Sequence, residues 1–197
     1  MKKTNLVLAG SGYLGNEIIK QLNEIKHSFS IIELSRTKKL KGNLARSIQI
    51  DFDNITKEID YVDDSKIIYM APPNRSTKKD TRIRNFLEKI EHHKIDRFIY
   101  VSTSGVYGNC NGESVSESNK INPLTDRAKR RVDAEQQLTK FCENLKINLV
   151  ILRVPGIYGK DRLPMKRIND CEPLIRMEES RTTNLIHVSD LARITIK

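Results

Sequence analysis

Short apolar runs and stretches of helical periodicity alternate along most of the chain. Six runs predict β-strands, because they are short, apolar and bounded by polar residues: Asn5–Ala9, Phe29–Leu34, Ser47–Phe52, Lys66–Ala71, Arg97–Ser102 and Asn148–Val154. Apolar residues at every third or fourth position predict helices over residues 14–25, Thr81–His92 and Asp126–Leu145. This alternation predicts an α/β fold: a doubly wound parallel sheet with right-handed crossovers and helices on both faces.

Three glycines fall between the first predicted strand and the first predicted helix, in the segment GSGYLG. Gly10 permits a tight turn, Gly12 lets the backbone approach a pyrophosphate, and Gly15 lets the helix pack closely on the sheet. The other residues of the turn are Ser11, Tyr13 and Leu14. A helix that begins here points its free N–H groups at the phosphates. The segment therefore predicts a dinucleotide-binding turn, and the alternative is a structural turn without a ligand.

The amino-acid composition limits the class of protein. A chain of 197 residues with 38% hydrophobic residues is long enough for one domain with its own core. The three cysteines, Cys110, Cys142 and Cys171, form no CxxC pair, so the sequence predicts neither a disulfide framework nor a metal site. No run approaches the ~18 apolar residues of a membrane helix, and the glycines interrupt the first apolar run before it reaches signal-peptide length. We therefore expect a cytoplasmic protein without a membrane partner.

Basic residues dominate the charge of the chain. The formal net charge is +10, and the basic residues cluster near positions 36–41, 75–84, 127–131 and 160–167. Most of these clusters follow predicted strands, at the edge where open α/β sheets bind ligands, so they favour an anionic small molecule as partner. The alternative for any one cluster is a solvated surface. A nucleic-acid partner is not expected, because the clusters lack interleaved aromatic residues and the chain is only 6% aromatic.

Four segments resemble a known superfamily: RFIYVSTSGVYGN (97–109), NPLTDRAKRRVDAEQQL (122–138), LRVPGIYGKDRLP (152–164) and IHVSDLA (186–192). They are similar to the extended and atypical short-chain dehydrogenases/reductases, in particular to nucleoside-diphosphate-sugar epimerases and dehydratases. The resemblance implies a Rossmann NAD(P)-binding domain over residues 1–154 and a small, partial substrate-side region over residues 155–197. It also implies an oxidoreductase or epimerase-like activity on a small anionic or sugar-nucleotide substrate.

The catalytic helix of this superfamily carries a Tyr and a Lys four residues apart, and the Tyr acts as acid and base. Counting back from Glu135, which resembles the acidic residue that closes the motif, these positions hold Arg127 and Arg131. Arginine cannot be deprotonated in a protein, so Arg127 cannot replace the base. We expect the two arginines to bind a phosphate or carboxylate of the substrate. The alternative function is a non-catalytic NADP(H)-binding sensor or regulatory module.

Three further residues are candidates for the active site on the same resemblance. Thr103 matches the Ser or Thr that binds the reacting oxygen, and the alternative is a strand-end residue that caps the following turn. Tyr107 is a candidate for proton transfer and Tyr158 for substrate binding. For both tyrosines the alternative is a packing role, since a buried Tyr usually only satisfies its hydroxyl.

The tip of the second predicted strand bears on the choice of cofactor. NAD is usually held there by an acidic residue, whereas the 2′-phosphate of NADP requires an arginine. The strand runs through Glu33 and Leu34, so Ser35 and Arg36 fall at its tip. The sequence therefore favours NADP, with NAD as the alternative.

Two more strand ends resemble the cofactor site of the superfamily. After the third strand, Asp51 is a candidate partner for the adenine amine, with a helix cap as its alternative, and Phe52 is placed to pack on the ring. After the fourth strand, Ala71 and Pro72 are expected beside the nicotinamide.

Overall fold

The computed structural model describes residues 4–37, 45–163, 169–170, 176, 178 and 183–197. Its main strands are β1 (Thr4–Ala9), β2 (Phe29–Ser35), β3 (Ala45–Gln49), β4 (Ser65–Tyr69), β5 (Ile95–Thr103) and β6 (Asn148–Val154). They form one sheet in the order β3-β2-β1-β4-β5-β6, and every neighbouring pair is parallel. The predicted doubly wound parallel sheet is therefore confirmed.

Helices cover both faces of this sheet. Among the described residues, these helices are α1 (Tyr13–Glu24), α2 (Thr81–Ile90), α3 (Asp126–Leu145) and α4 (Val188–Ile196). The apolar residues of α1 and α4 share one buried cluster, and those of α2 and α3 share another on the opposite face. No helix within the described residues is long and apolar enough to cross a membrane.

Strand β1 is buried on both faces, which explains why its sequence is an unbroken apolar run from Leu6 to Ala9. Leu6 and Leu8 join the cluster beneath α1 and α4, whereas Val7 and Ala9 join the cluster beneath α2 and α3. A central parallel strand is covered on both faces, so both sets of side chains are apolar. Each fully buried Leu or Val contributes about 1.5–3 kcal/mol to folding, and both clusters therefore anchor the strand that precedes the glycine turn.

Element ends agree with the sequence best where a local cap fixes them. Helix α3 has the predicted bounds, because Oγ1 of Thr125 accepts from the backbone N–H of Ala128 and Lys146 ends the helix with a φ of 56°. Strand β3 was predicted to run from Ser47 to Phe52 but pairs only over Ala45–Gln49. Phe52 lies beyond the strand pairing and is buried in the core, so its apolar character reflects packing of the following loop.

The C-terminal part contains a separate pair of strands. β7 (Gly156–Tyr158) pairs in parallel with β8 (Leu185–His187), immediately before α4. In the main sheet, β1 lies between β2 and β4, so the chain crosses to opposite sides of β1 at this point. The connections that leave the carboxyl ends of the strands run in opposite directions at such a switch point and leave a crevice for a ligand.

Candidate functional site

The glycine turn lies at this switch point and is held by close backbone contacts. Gly10 has a φ of +80°, and a Cβ placed on it would lie 2.5 Å from Cα of Ala71. A Cβ on Gly15 would lie 2.9 Å from Cβ of Ser11, so the start of α1 packs tightly on the turn. A Cβ on Gly12 would meet only the carbonyl oxygen of Gly10, at 4.0 Å. The space beside Gly12 is therefore open, as a bound pyrophosphate requires.

A buried carboxylate ties the turn to β2. Oγ of Ser11 donates to Oε1 of Glu33 at 2.5 Å, and both residues are buried. The backbone N–H groups of Gly10 and Ser11 both donate to the carbonyl of Leu34, at 2.9 and 3.1 Å. Glu33 thus points into the protein below the turn and leaves Ser35 and Arg36 at the strand tip. An acidic residue inside an apolar strand indicates a buried hydrogen bond, but the sequence alone does not identify Ser11 as the donor.

A cleft of about 320 Å³, here called the main cleft, opens over the turn. It is bordered by the turn, by the ends of β4, β5 and β6, by α3 and by Arg162. The predicted site residues that line it are Gly10, Gly12, Tyr13, Leu14, Gly15, Pro72, Thr103, Arg127 and Arg131. The fold therefore brings the glycine turn and the two arginines of α3 to the same cleft.

A second cavity of about 180 Å³, here called the side cavity, lies on the other side of the turn. It is lined by Gly10, Ser11, Ser35, Arg36, Thr37, Phe52, Ala71, Pro72 and Arg82. Gly10 and Pro72 border both spaces, so the two spaces adjoin at the glycine turn. Asp51 is not among the residues that line the side cavity: it is exposed, and its Oδ1 accepts from the N–H of Asp53 at 3.0 Å. The Asp51 carboxylate thus caps the turn that follows β3, where a helix cap was the predicted alternative to an adenine contact.

Arg131 is largely buried beneath the main cleft, with 8% exposure. Its Nη1 donates to the hydroxyl of Tyr100 at 3.0 Å and to the carbonyl oxygens of Val101 and Ala71 at 3.2 and 3.4 Å. Asp80 is fully buried nearby, and burial raises its pKa to about 6 although the charge of Arg131 opposes that rise. Nη1 of Arg131 thus holds the ends of β4 and β5 in place.

Arg127 is exposed, one turn earlier on α3, and lines the same cleft. It makes no side-chain hydrogen bond or ion pair within the part of the chain that the structure describes, so its guanidinium is available to a ligand. Thr103 also lines the cleft, and its Oγ1 accepts from the N–H of Gly105 at 3.3 Å. That contact is the predicted cap, but it leaves the hydroxyl hydrogen free to donate.

Tyr107 and Tyr158 are not among the residues that line the main cleft. Nη1 of Arg153 donates to the hydroxyl of Tyr107 at 2.9 Å, and the same guanidinium binds the buried carboxylate of Glu135. Tyr158 is 39% exposed and packs edge-on against His187, with ring centroids 5.1 Å apart. The packing alternative is therefore favoured for both tyrosines.

A further cationic residue of the main cleft, Arg162, comes from the basic cluster at 160–167. Its guanidinium lies over the ring of Tyr13 at 4.2 Å, and the hydroxyl of Tyr13 donates to the carbonyl of Lys160 at 2.7 Å. These contacts hold the loop after β7 against the glycine turn. Among the described residues, no group of His, Cys, Asp and Glu side chains is placed to hold a metal ion.

Comparison with known proteins agrees with this arrangement. The profile of the NAD dependent epimerase/dehydratase family matches residues 6–197. The dTDP-D-glucose 4,6-dehydratase of Dictyostelium discoideum is 27% identical over an alignment of 124 positions, and the match covers 53% of this chain and 29% of that protein. The human dTDP-D-glucose 4,6-dehydratase is 25% identical over an alignment of 195 positions, and the match covers 84% of this chain and 54% of that protein. The chain therefore spans only part of the length of these relatives.

A solved structure shows the same fold. The UDP-glucuronic acid 4-epimerase from Bacillus cereus in complex with NAD has a TM-score of 0.79 at 21% identity, covering 98% of this chain and 71% of that one. The resemblance read from the sequence is confirmed by the family match. The chain belongs to the NAD-dependent epimerase/dehydratase family.

Proposed function

We propose that the chain binds NADP(H) in preference to NAD(H) and acts as an epimerase-like oxidoreductase on a small anionic or sugar-nucleotide substrate. The observation that carries this proposal is the main cleft, where the glycine turn faces Thr103 and Arg127. Open space beside Gly12 fits a pyrophosphate at the start of α1. When bound, the nicotinamide group supplies a carbon that accepts and returns hydride.

The proposed preference for NADP rests on the tip of β2. Arg36 and Ser35 line the side cavity, where the adenosine half would lie. Glu33, the nearest acidic residue of that strand, is buried and accepts a hydrogen bond from Ser11. A guanidinium and a hydroxyl at this tip suit a 2′-phosphate, whereas a 2′-hydroxyl of NAD would lack its usual acidic partner.

The proposed anionic substrate rests on the charge of the main cleft. Three arginines and no Asp or Glu occur among the described residues that line it. Arg127 is the exposed one on α3, and it would bind a carboxylate or phosphate with two parallel hydrogen bonds. The guanidinium of Arg127 stays protonated, so it cannot act as a base. Thr103 would bind the reacting oxygen as a hydrogen-bond donor. Turnover is therefore expected to be slow.

The second candidate function, a non-catalytic NADP(H)-binding sensor, is favoured by one observation. Among the described residues that line the main cleft, the only tyrosine is Tyr13. Its hydroxyl already donates to the carbonyl of Lys160. The cleft thus lacks a free phenol in the place of the family's acid and base. Cofactor binding without turnover is the behaviour that this candidate predicts.

Calorimetric titration with NADP and NAD, followed by turnover assays with UDP-glucuronic acid, UDP-glucose and dTDP-glucose, separates these possibilities. Tighter binding of NADP with slow conversion of an acidic sugar nucleotide supports the proposed enzyme. Tight NADP binding without conversion of any substrate supports the sensor. Failure to bind either cofactor would refute both.

A further inference from the structure

Arg82 lies in the first turn of α2, where a positive charge opposes the helix dipole. Its side chain is only 12% exposed, so the charge must find a partner inside the protein. Nε donates to Oδ1 of Asp53 at 2.8 Å, and Nη2 donates to Oδ2 of the same carboxylate at 2.5 Å. Nη1 donates to the carbonyl oxygen of Pro72 at 2.9 Å. We call these contacts the Arg82 clamp.

The clamp joins two loops that no backbone pairing connects. Asp53 lies in the loop after β3, and Pro72 lies in the loop after β4. In the sheet, β3 and β4 are separated by β2 and β1, whose carboxyl ends lie between these loops. One guanidinium therefore links the two loops across the ends of β2 and β1.

Neighbouring amides hold the carboxylate side of the clamp. Nδ2 of Asn74 donates to Oδ1 of Asp53 at 2.7 Å, and Nδ2 of Asn85 donates to the carbonyl of Phe52 at 3.0 Å. The hydrogen bonds from Arg82 also lower the pKa of Asp53, so its carboxylate stays charged at neutral pH. The loop that carries Phe52 is thus fixed from two positions on α2.

The loops that the clamp joins are the walls of the side cavity. Phe52 and Pro72 line that cavity together with Arg82 itself. Arg36 lines it too, but Arg36 is exposed, whereas Arg82 is paired with Asp53. The two arginines therefore differ in role: Arg36 is available to an anion, and Arg82 shapes the space.

We propose that Arg82 is a positioning residue that holds Phe52 and Pro72 at the separation needed to receive the adenine half of the dinucleotide. The inference rests on the proposed cofactor site and adds a residue that determines affinity at one end of it. A lysine keeps the charge but lacks the planar fork, so it cannot make both bonds to Asp53 and the bond to Pro72. Without the clamp, the bond from Asn74 to Asp53 still joins the two loops, but adenine binding would have to order them further, which lowers affinity.

The test compares the two halves of NAD as separate probes: adenosine 5′-monophosphate and nicotinamide mononucleotide, each titrated by calorimetry into the full chain. The variants are Arg82→Lys and Asp53→Asn. The matched control is Arg84→Lys on the same helix, because the Arg84 side chain is 58% exposed and its one ion pair among the described residues is with Glu88, at 3.9 Å. Unfolding midpoints in denaturant establish that each variant is folded.

Both clamp variants should weaken adenosine monophosphate binding about 10-fold and leave nicotinamide mononucleotide binding within about twofold, since the two-point bond between Arg82 and Asp53 is broken at the adenine end only. The double variant should lose less affinity than the two single losses combined, because both changes disrupt the bonds between Arg82 and Asp53. Arg84→Lys should change neither affinity.

Three results would overturn the inference. Unchanged binding of adenosine monophosphate by both clamp variants would show that Arg82 does not position Phe52 and Pro72 for adenine binding. An equal loss for both probes would show a general loosening rather than positioning of the adenine. If the unmutated chain binds neither probe, the proposed cofactor site fails and the inference fails with it.

Discussion

Gly10 and Gly112 form a matched pair that measures how much stability depends on the close packing of the glycine turn. Both have a positive φ, +80° at Gly10 and +88° at Gly112. A Cβ on Gly10 would lie 2.5 Å from Cα of Ala71, whereas a Cβ on Gly112 would meet no atom within 4 Å. Alanine therefore adds backbone strain at both positions but a collision with backbone atoms only at Gly10.

The strain alone should cost Gly112→Ala about 1 kcal/mol. The collision should cost Gly10→Ala a further ~1–3 kcal/mol, because backbone atoms cannot rotate away from the added methyl group. For a chain of this length each kcal/mol lowers Tm by about 2–4 °C, so we expect roughly 2–4 °C for Gly112→Ala and roughly 5–15 °C for Gly10→Ala. Thermal unfolding followed by circular dichroism measures both. Equal shifts in the two variants would refute the close approach of the turn to Ala71.

Three further predictions concern the cofactor, a buried acid and the two arginines of α3. Arg36→Asp should weaken NADP binding by ~1.5–3 kcal/mol and spare NAD, as measured by calorimetry; equal losses would count against a 2′-phosphate contact. The pKa of Asp80 is raised by burial to about 6 from 3.8, so the folded protein binds the proton more tightly and loses stability as the pH rises through this interval. Denaturant unfolding should therefore show that the free energy of unfolding of Asp80→Asn rises relative to that of the unmutated protein between about pH 4 and pH 6, by on the order of 3 kcal/mol in all. A difference in unfolding free energy that stays constant with pH would contradict the raised pKa. Arg127→Tyr combined with Arg131→Lys should raise reduction of a sugar-nucleotide substrate by about 10²-fold or more if the cleft is that of an enzyme that has lost its acid and base. No gain, with cofactor binding intact, would favour the sensor.

The sequence predicted those parts of the structure that depend on local pattern. The strand–glycine–helix succession placed β1, the turn and α1 correctly, because apolar runs and glycine spacing are properties of adjacent residues. The bounds of α3 followed from its helical periodicity, with Thr125 as a local cap. The predicted end of β3 at Phe52 was wrong, because Phe52 is apolar for packing in the core rather than for pairing in the sheet.

Contacts between distant segments were the part that the sequence could not supply. The bond between Ser11 and Glu33, the Arg82 clamp and the stacking of Arg162 on Tyr13 each join residues that only the fold brings together. Arg131 is a similar case: its position on the helix predicted a substrate clamp, but its hydrogen bonds to Tyr100 and Val101 depend on how α3 packs over β5. Helical spacing predicts which residues share a face of a helix, whereas the contacts of each side chain depend on the fold.

The most direct test of the account is calorimetric titration of NADP into the unmutated chain and into Gly12→Val. The open space beside Gly12 is where the pyrophosphate is proposed to lie, and a valine side chain would fill it. We predict saturable binding by the unmutated chain and no detectable binding by Gly12→Val, with unfolding midpoints that remain close to each other. Normal binding of NADP by Gly12→Val would contradict the proposed site.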